Sequence, residues 1–74
     1  MSRVAAIGER ARVQGFALAG ALVRTAETPP AVRAAWSALP ADVEVVVLTP
    51  AAAAALDAEL DDPSSIRLPV VMPP

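Results

Sequence analysis

The chain has no histidine, no cysteine, no tyrosine and no lysine. Without cysteine there is no disulfide to staple a small fold, and without histidine or cysteine a structural zinc site lacks its usual ligands. General acid–base and nucleophilic catalysis lose their commonest side chains. Such a composition points to a protein that holds something or is held. Aromatic residues make up only 3% of the sequence, one Phe and one Trp. No run of 18 apolar residues exists, so no membrane-spanning helix is expected. The net charge of −2 leaves no electrostatic footprint for nucleic acid. Arg10 and Arg12 precede an apolar run over 13–23, which superficially resembles a secretion signal. Glu9 in the would-be basic region, Gln14 and two glycines spoil that pattern, and a cytoplasmic chain is expected.

What is present is apolar and small. Hydrophobic residues account for 55% of 74 positions, mostly Ala and Val, with Phe16 and Trp36 as single bulky anchors. A chain of this size forms one domain and buries roughly 61% of its unfolded surface. Small domains often lean on a staple or a partner. With disulfide and zinc excluded, a partner protein is the staple left.

Residues 4–7 form a short continuous apolar run, which suits a strand buried on both faces, and Gly8 ends it. Residues 9–19 read as a helix with Val13, Phe16, Ala17 and Gly20 on one stripe. Gly15 inside that helix costs about 1 kcal/mol relative to Ala and suggests that another backbone passes close by. Gly20 is placed for a left-handed C-terminal cap. A second strand is expected over 21–25. Thr28 followed by Pro29-Pro30 is a cap-plus-proline helix start. The helix carries Val32, Ala35, Trp36 and Leu39 at core-facing spacing, and Pro40 stops it. Residues 43–49 are the strongest strand, β-branched and nearly all apolar, and are placed centrally. Thr49-Pro50 repeats the helix start for an Ala-rich helix over 51–60, with Ala52, Ala53, Leu56 and Leu60 inward. A loop over 61–65 leads to a last strand over 68–72, where Pro69 argues for a sheet edge.

The order β-α-β-α-β-α-β with short connections implies an α/β fold with right-handed crossovers. The expected architecture is a flavodoxin-like or CheY-like four-stranded parallel sheet, order 2-1-3-4, with three helices. The first helix then covers one face and the other two cover the opposite face. With no helix after the last strand, apolar side chains on one side of 43–49 and 68–72 should stay partly exposed and meet a partner.

Candidate chemical sites reduce to structural roles. A nucleotide fold needs closely spaced glycines after the first strand, but Gly8 is followed by six other residues before Gly15. Arg10 and Arg12 could attract an anion at a helix start, but read better as a solvated face. Phosphotransfer needs an Asp where Thr49 stands and more acids than Glu9. Asp61 and Asp62 are too few for calcium, and Ser64 and Ser65 have no general base. Trp36 is a core residue by its periodicity rather than an interface anchor.

Ile7-Gly8-Glu9, Val13, Gly15-Phe16-Ala17-Leu18-Ala19-Gly20, Val46-Val47-Leu48-Thr49 and Leu68-Pro69-Val70-Val71-Met72-Pro73 follow one another in a suggestive order. Together they resemble the F subunit of the V/A-type rotary ATPases, whose most specific motif is the Gly-Phe-x-Leu-Ala-Gly segment. The resemblance implies a noncatalytic component of the central rotor stalk, without cofactor. It implies binding to the coiled coil of the D subunit, contact with other ATPase components, and a place peripheral to the membrane. In such complexes ATP hydrolysis or synthesis is coupled to proton or sodium transport, and the ATP sites lie on other polypeptides. Typical members carry a further C-terminal helix, so residues 1–74 are expected to be a single F-subunit-like domain lacking that helix. The candidate partner-binding residues are Gly15, Phe16, Leu18, Val70 and Met72. The alternative is a small flavodoxin-like ligand-binding or regulatory domain, with a pocket near Gly8, Glu9 and Thr49.

Overall fold

The computed structural model describes residues 3–61 and 67–74. Four strands form one parallel sheet in the order β2-β1-β3-β4. They are β1 (Arg3–Gly8), β2 (Leu22–Thr25), β3 (Val43–Leu48) and β4 (Leu68–Val71). The helices between them are α1 (Arg10–Val13), continued by a 3-10 helix (Gln14–Ala19), then α2 (Pro29–Ser37), α3 (Pro50–Ala55) and α4 (Asp57–Leu60). The sheet order is the expected one, and β4 is an edge strand. The predicted loop over 61–65 lies outside the described residues apart from Asp61, which sits exposed at the end of α4.

The main core lies between the sheet and the α2–α3 layer. Ala5 and Ile7 of β1 and Val43, Val46 and Leu48 of β3 meet Val32, Trp36 and Leu39, together with Ala52 and Leu56. Val43 and Val46 are an odd number of residues apart, yet both face this core. The reason is a register shift: Arg3 pairs with Val43, but Val4 pairs with Val45, so Glu44 is skipped. The slip turns Val43 onto the same face as Val46 and Leu48. At the start of the sheet the Arg3 guanidinium grips Asp42 with two bonds, at 2.7 and 3.1 Å. Arg67 reaches back from the start of β4 to the Leu39 and Pro40 carbonyls, each at 3.0 Å, with its guanidinium over the Trp36 ring.

The helix starts behave as their caps dictate. Thr28 accepts from the Ala31 amide and Thr49 from the Ala52 amide, each at 3.3 Å, with proline in the first turn of both helices. Two helices depart from regular α geometry. The first tightens after Val13 into a 3-10 helix, and its shorter period swings Ala17 outward while Val13 is buried and Phe16 half-buried. It ends on a Schellman motif. Gly20, at φ 87°, donates to Ala17, and Ala21 donates to Phe16. The expected stripe of Val13, Phe16, Ala17 and Gly20 is thus cut short at Phe16, with Ala17 and Gly20 exposed. The third helix breaks at Leu56, whose amide is shared between the Ala52 and Ala53 carbonyls at 3.2 Å. Asp57 and Glu59 then occupy the first turn of α4, where negative charge is favourable. Ala52 and Leu56 are buried as expected, with Ala53 and Leu60 half-buried against the core.

Gly8 closes β1 where two strands and two loops converge. Its carbonyl accepts from the Ala26 amide at 2.9 Å, and the neighbouring Ile7 carbonyl accepts from the Thr49 amide at 3.2 Å. A Cβ on residue 8 would overlap Thr49 Cγ2 and lie 2.5 Å from its Oγ1. Thr49 has no room to turn away, because that oxygen already caps α3. Gly8→Ala should therefore destabilise the chain by about 1–3 kcal/mol. The cost should shrink in a Thr49→Ala background, as a double-mutant cycle by chemical denaturation would measure.

Candidate functional site

Two regions were candidates from the sequence: the carboxyl end of the sheet and the open sheet face. At the carboxyl end, Glu9 follows Gly8 directly, and the Thr49 hydroxyl donates to Glu9 Oε1 at 2.5 Å. The same Thr49 oxygen accepts from Ala52. One side chain thus links the β1–α1 turn to the α3 start. The Thr49 bond, a backbone amide and the Arg12 charge hold the Glu9 carboxyl below the ordinary carboxylate range. Glu27 Oε2 accepts from the Arg10 amide at 3.5 Å, so a side chain of the fold itself occupies the helix start. The adjoining cleft, lined by Glu9, Ala26, Glu27 and Ala52 among others, has a volume of about 100 Å³. Sites for small molecules usually enclose about 300–1,000 Å³. The carboxyl end is a structural junction with a small cleft, not a formed ligand pocket.

The open face has a different character. Register places Val4, Val45 and Leu68 in one rung across the sheet, and Ala6, Val47 and Val70 in the next. Neighbours in a parallel register share a face, and this face is opposite the main core. Ala6 is fully buried, as is Val13 of α1, and neither belongs to the main core cluster. Cover is thin at the start of β1 and along β4. Val45 and Val47 are half-buried, while Val4 is 42%, Leu68 60% and Val70 44% exposed. On the core face Val43, Val46 and Leu48 are fully buried. The expected asymmetry between the two faces of β3 is present. At the rim of β4, Val71 is also exposed on the other side.

The proposed contact residues fall in two places. Gly15 and Phe16, with Arg12 and Ala19, line an open depression of about 290 Å³. Arg12 Nη2 donates to the Pro73 carbonyl at 2.7 Å, which ties the chain beyond β4 to α1. Val70 stands on the open rung, and Met72, half-buried, extends the strand by donating from its amide to the Leu48 carbonyl at 2.8 Å. Leu18 is 94% exposed and packs on nothing that would explain it as core. The close backbone anticipated at Gly15 is not found among the described residues: none lies within 4 Å of where a Cβ would be. The open side of β3 and β4 was anticipated without naming Val45, Val47 and Leu68, whereas Val4 was expected in a strand buried on both faces and is exposed. Alternation along each strand, counted from the buried Ile7 and Leu48, would have found them.

Glu9 and Asp42 are both held below their ordinary carboxyl range, Asp42 by its bonds to Arg3. A carboxyl with a depressed folded-state pKa adds stability that is present above its unfolded pKa and is lost as pH falls through the folded value. Thermal unfolding should therefore be flat near neutrality and fall on the acid side. Thr49→Val removes the cap and the Glu9 bond together, and should cost about 1–2 kcal/mol at pH 7. It should also flatten part of the acid limb, whereas Thr49→Ser should retain most of both, as melting curves from pH 7 to 3 would show.

No helix among the described residues is long and apolar enough to cross a membrane. No curated protein matches the chain, and no solved structure does. The profile of the family described as ATP synthase (F/14-kDa) subunit matches residues 4–73, nearly the whole sequence and all four strands apart from Arg3. The chain therefore belongs to that family, the F subunits of the V/A-type rotary ATPases.

Proposed function

We propose that this protein is a noncatalytic component of the central rotor stalk, docked on the coiled coil of the D subunit. In that place it helps couple ATP hydrolysis or synthesis on other polypeptides to ion transport through the membrane sector. The observation that carries the reading is the pair of apolar rungs Val4–Val45–Leu68 and Ala6–Val47–Val70, left open towards β4. Parallel sheets are normally covered on both faces. A long helix of a partner laid across β3 and β4 would complete the missing layer. Gly15, Phe16, Leu18, Val70 and Met72 are the contact residues in this reading, joined by Val4, Val47 and Leu68.

The ligand-binding alternative draws little support, because the cleft at the carboxyl end is too small and is crossed by the fold's own Thr49–Glu9 bond. Apolar contact suits a rotor component. It acts at short range, grows with buried area and is insensitive to ionic strength.

Co-expression with a candidate D subunit should yield a stable complex by size exclusion. Val70→Glu should keep the circular dichroism spectrum of the free chain and weaken that complex at least about tenfold. Absence of any complex with wild-type protein would sink the stalk reading. ATP retained in equilibrium dialysis would favour the ligand-binding alternative.

A further inference from the structure

Side-chain burial does little to hold the last strand. No β4 residue belongs to the buried core, and Leu68, Val70 and Val71 are all exposed. The other edge strand, β2, at least packs Leu22 against that core. The β4 backbone pairs with β3 alone, from Leu68 opposite Val45 to Val71 opposite Leu48. One short ladder without a buried face is marginal in water.

Two arginines fasten the ends of this strand. Just before β4, the half-buried Arg67 donates from Nη2 to the Leu39 and Pro40 carbonyls at 3.0 Å each. Its guanidinium carbon also lies 5.9 Å from the centre of the Trp36 ring. Just after β4, the Pro73 carbonyl accepts from Arg12 Nη2 at 2.7 Å. Leu39 and Pro40 follow α2, which covers the core face, whereas Arg12 belongs to α1 on the opposite face. The strand is therefore tied across the thickness of the sheet, one end to each layer. Guanidinium bonds to carbonyls are charge-assisted and directional. The Arg67 tie is sheltered and gains from the ring beneath it, while the Arg12 tie is exposed and weakened by water and salt.

We infer that β4 is a strap, a unit that opens as a whole while β2, β1 and β3 stay paired, and that the arginines at its two ends hold it closed. Local opening belongs to segments with few apolar contacts and backbone bonds close to solvent. Leu68 and Val70 stand beside Val45 and Val47 only while the strap is closed. Arg12 and Arg67 thereby govern whether the open apolar face exists as one surface. This opening is a property of the free chain and is independent of the stalk reading.

Amide hydrogen exchange, followed by NMR in urea below the unfolding transition, reads the opening directly. Met72 donates to Leu48 at the far end of the ladder, Val70 lies two residues earlier on the same side, and Thr49 donates to Ile7 in the β1–β3 ladder. In the wild-type chain Val70 and Met72 should share one opening constant, at least about tenfold larger than that of Thr49 and with a weaker urea dependence. Arg67→Met should raise that shared constant about tenfold and Arg12→Met about threefold. Thr49 should rise in the same proportion, because a bond broken on opening is missing from every more unfolded state. Arg33→Met, exposed on α2, should leave Val70 and Met72 unchanged. Equal constants and urea dependence for all three amides in the wild-type chain would overturn the inference, since β4 would then leave only with the whole fold. So would an Arg67→Met chain in which Met72 exchange is unmoved, which marks fraying from the end rather than a unit. A rise at Thr49 alone in either variant would overturn it too, because the arginine would then brace the remaining sheet. The wild-type comparison needs no variant, so a substitution that prevents folding leaves the test intact.

Discussion

A parallel sheet is normally covered on both sides, and the helices among the described residues cover most of one side and part of the other. That constraint organises the rest. The α2–α3 layer closes one face over Ile7, Val46 and Leu48, all fully buried. On the other face the short first helix covers β1 at Ala6 through Val13, while Val4 stays exposed. Among the described residues nothing comparable shields Leu68 and Val70. The open corner follows from counting layers, not from an unusual composition at that corner.

The layers meet at Thr49. Its amide extends the β1–β3 ladder, its hydroxyl donates to Glu9, and the same oxygen starts α3. Gly8 exists to make room for it. In many folds of this topology the carboxyl end of the first and third strands is where a ligand sits. Here the same place is filled by a cap, a carboxylate and the crossing of two turns. The fold has kept the architecture and closed the crevice, which is consistent with membership of a family of complex components.

Much of this was legible from residue types. Thr28 and Thr49 before proline marked two helix starts, and both accept the expected amide. Gly20 marked a helix end, and it is the one residue with positive φ among those described. Pro69 marked the edge strand. The misreadings share a physical origin, since they depend on register and period, which residue type does not specify. No face was assigned to Val43 from the sequence, and the slip past Glu44 is what makes it core. The 3-10 tightening decides that Ala17 is outside. Leu56 was rightly placed inward, but its shared amide breaks the Ala-rich helix in a way that composition does not reveal. The candidate contact residues were picked from one motif. The individual residues that complete the apolar face emerged only when alternation was counted against a known neighbour.

The proline in β4 has one more consequence. An open apolar face beside an outermost strand invites uncontrolled growth, with copies adding edge to edge into larger sheets. Residue 69 offers no N–H, and the strand around it is only four residues long. The opposite border, β2, is equally brief and ends in Arg24 and Thr25. Copies synthesised ahead of their companion thus have poor templates for polymerising, and the exposed side chains stay free for a helix to lie across them.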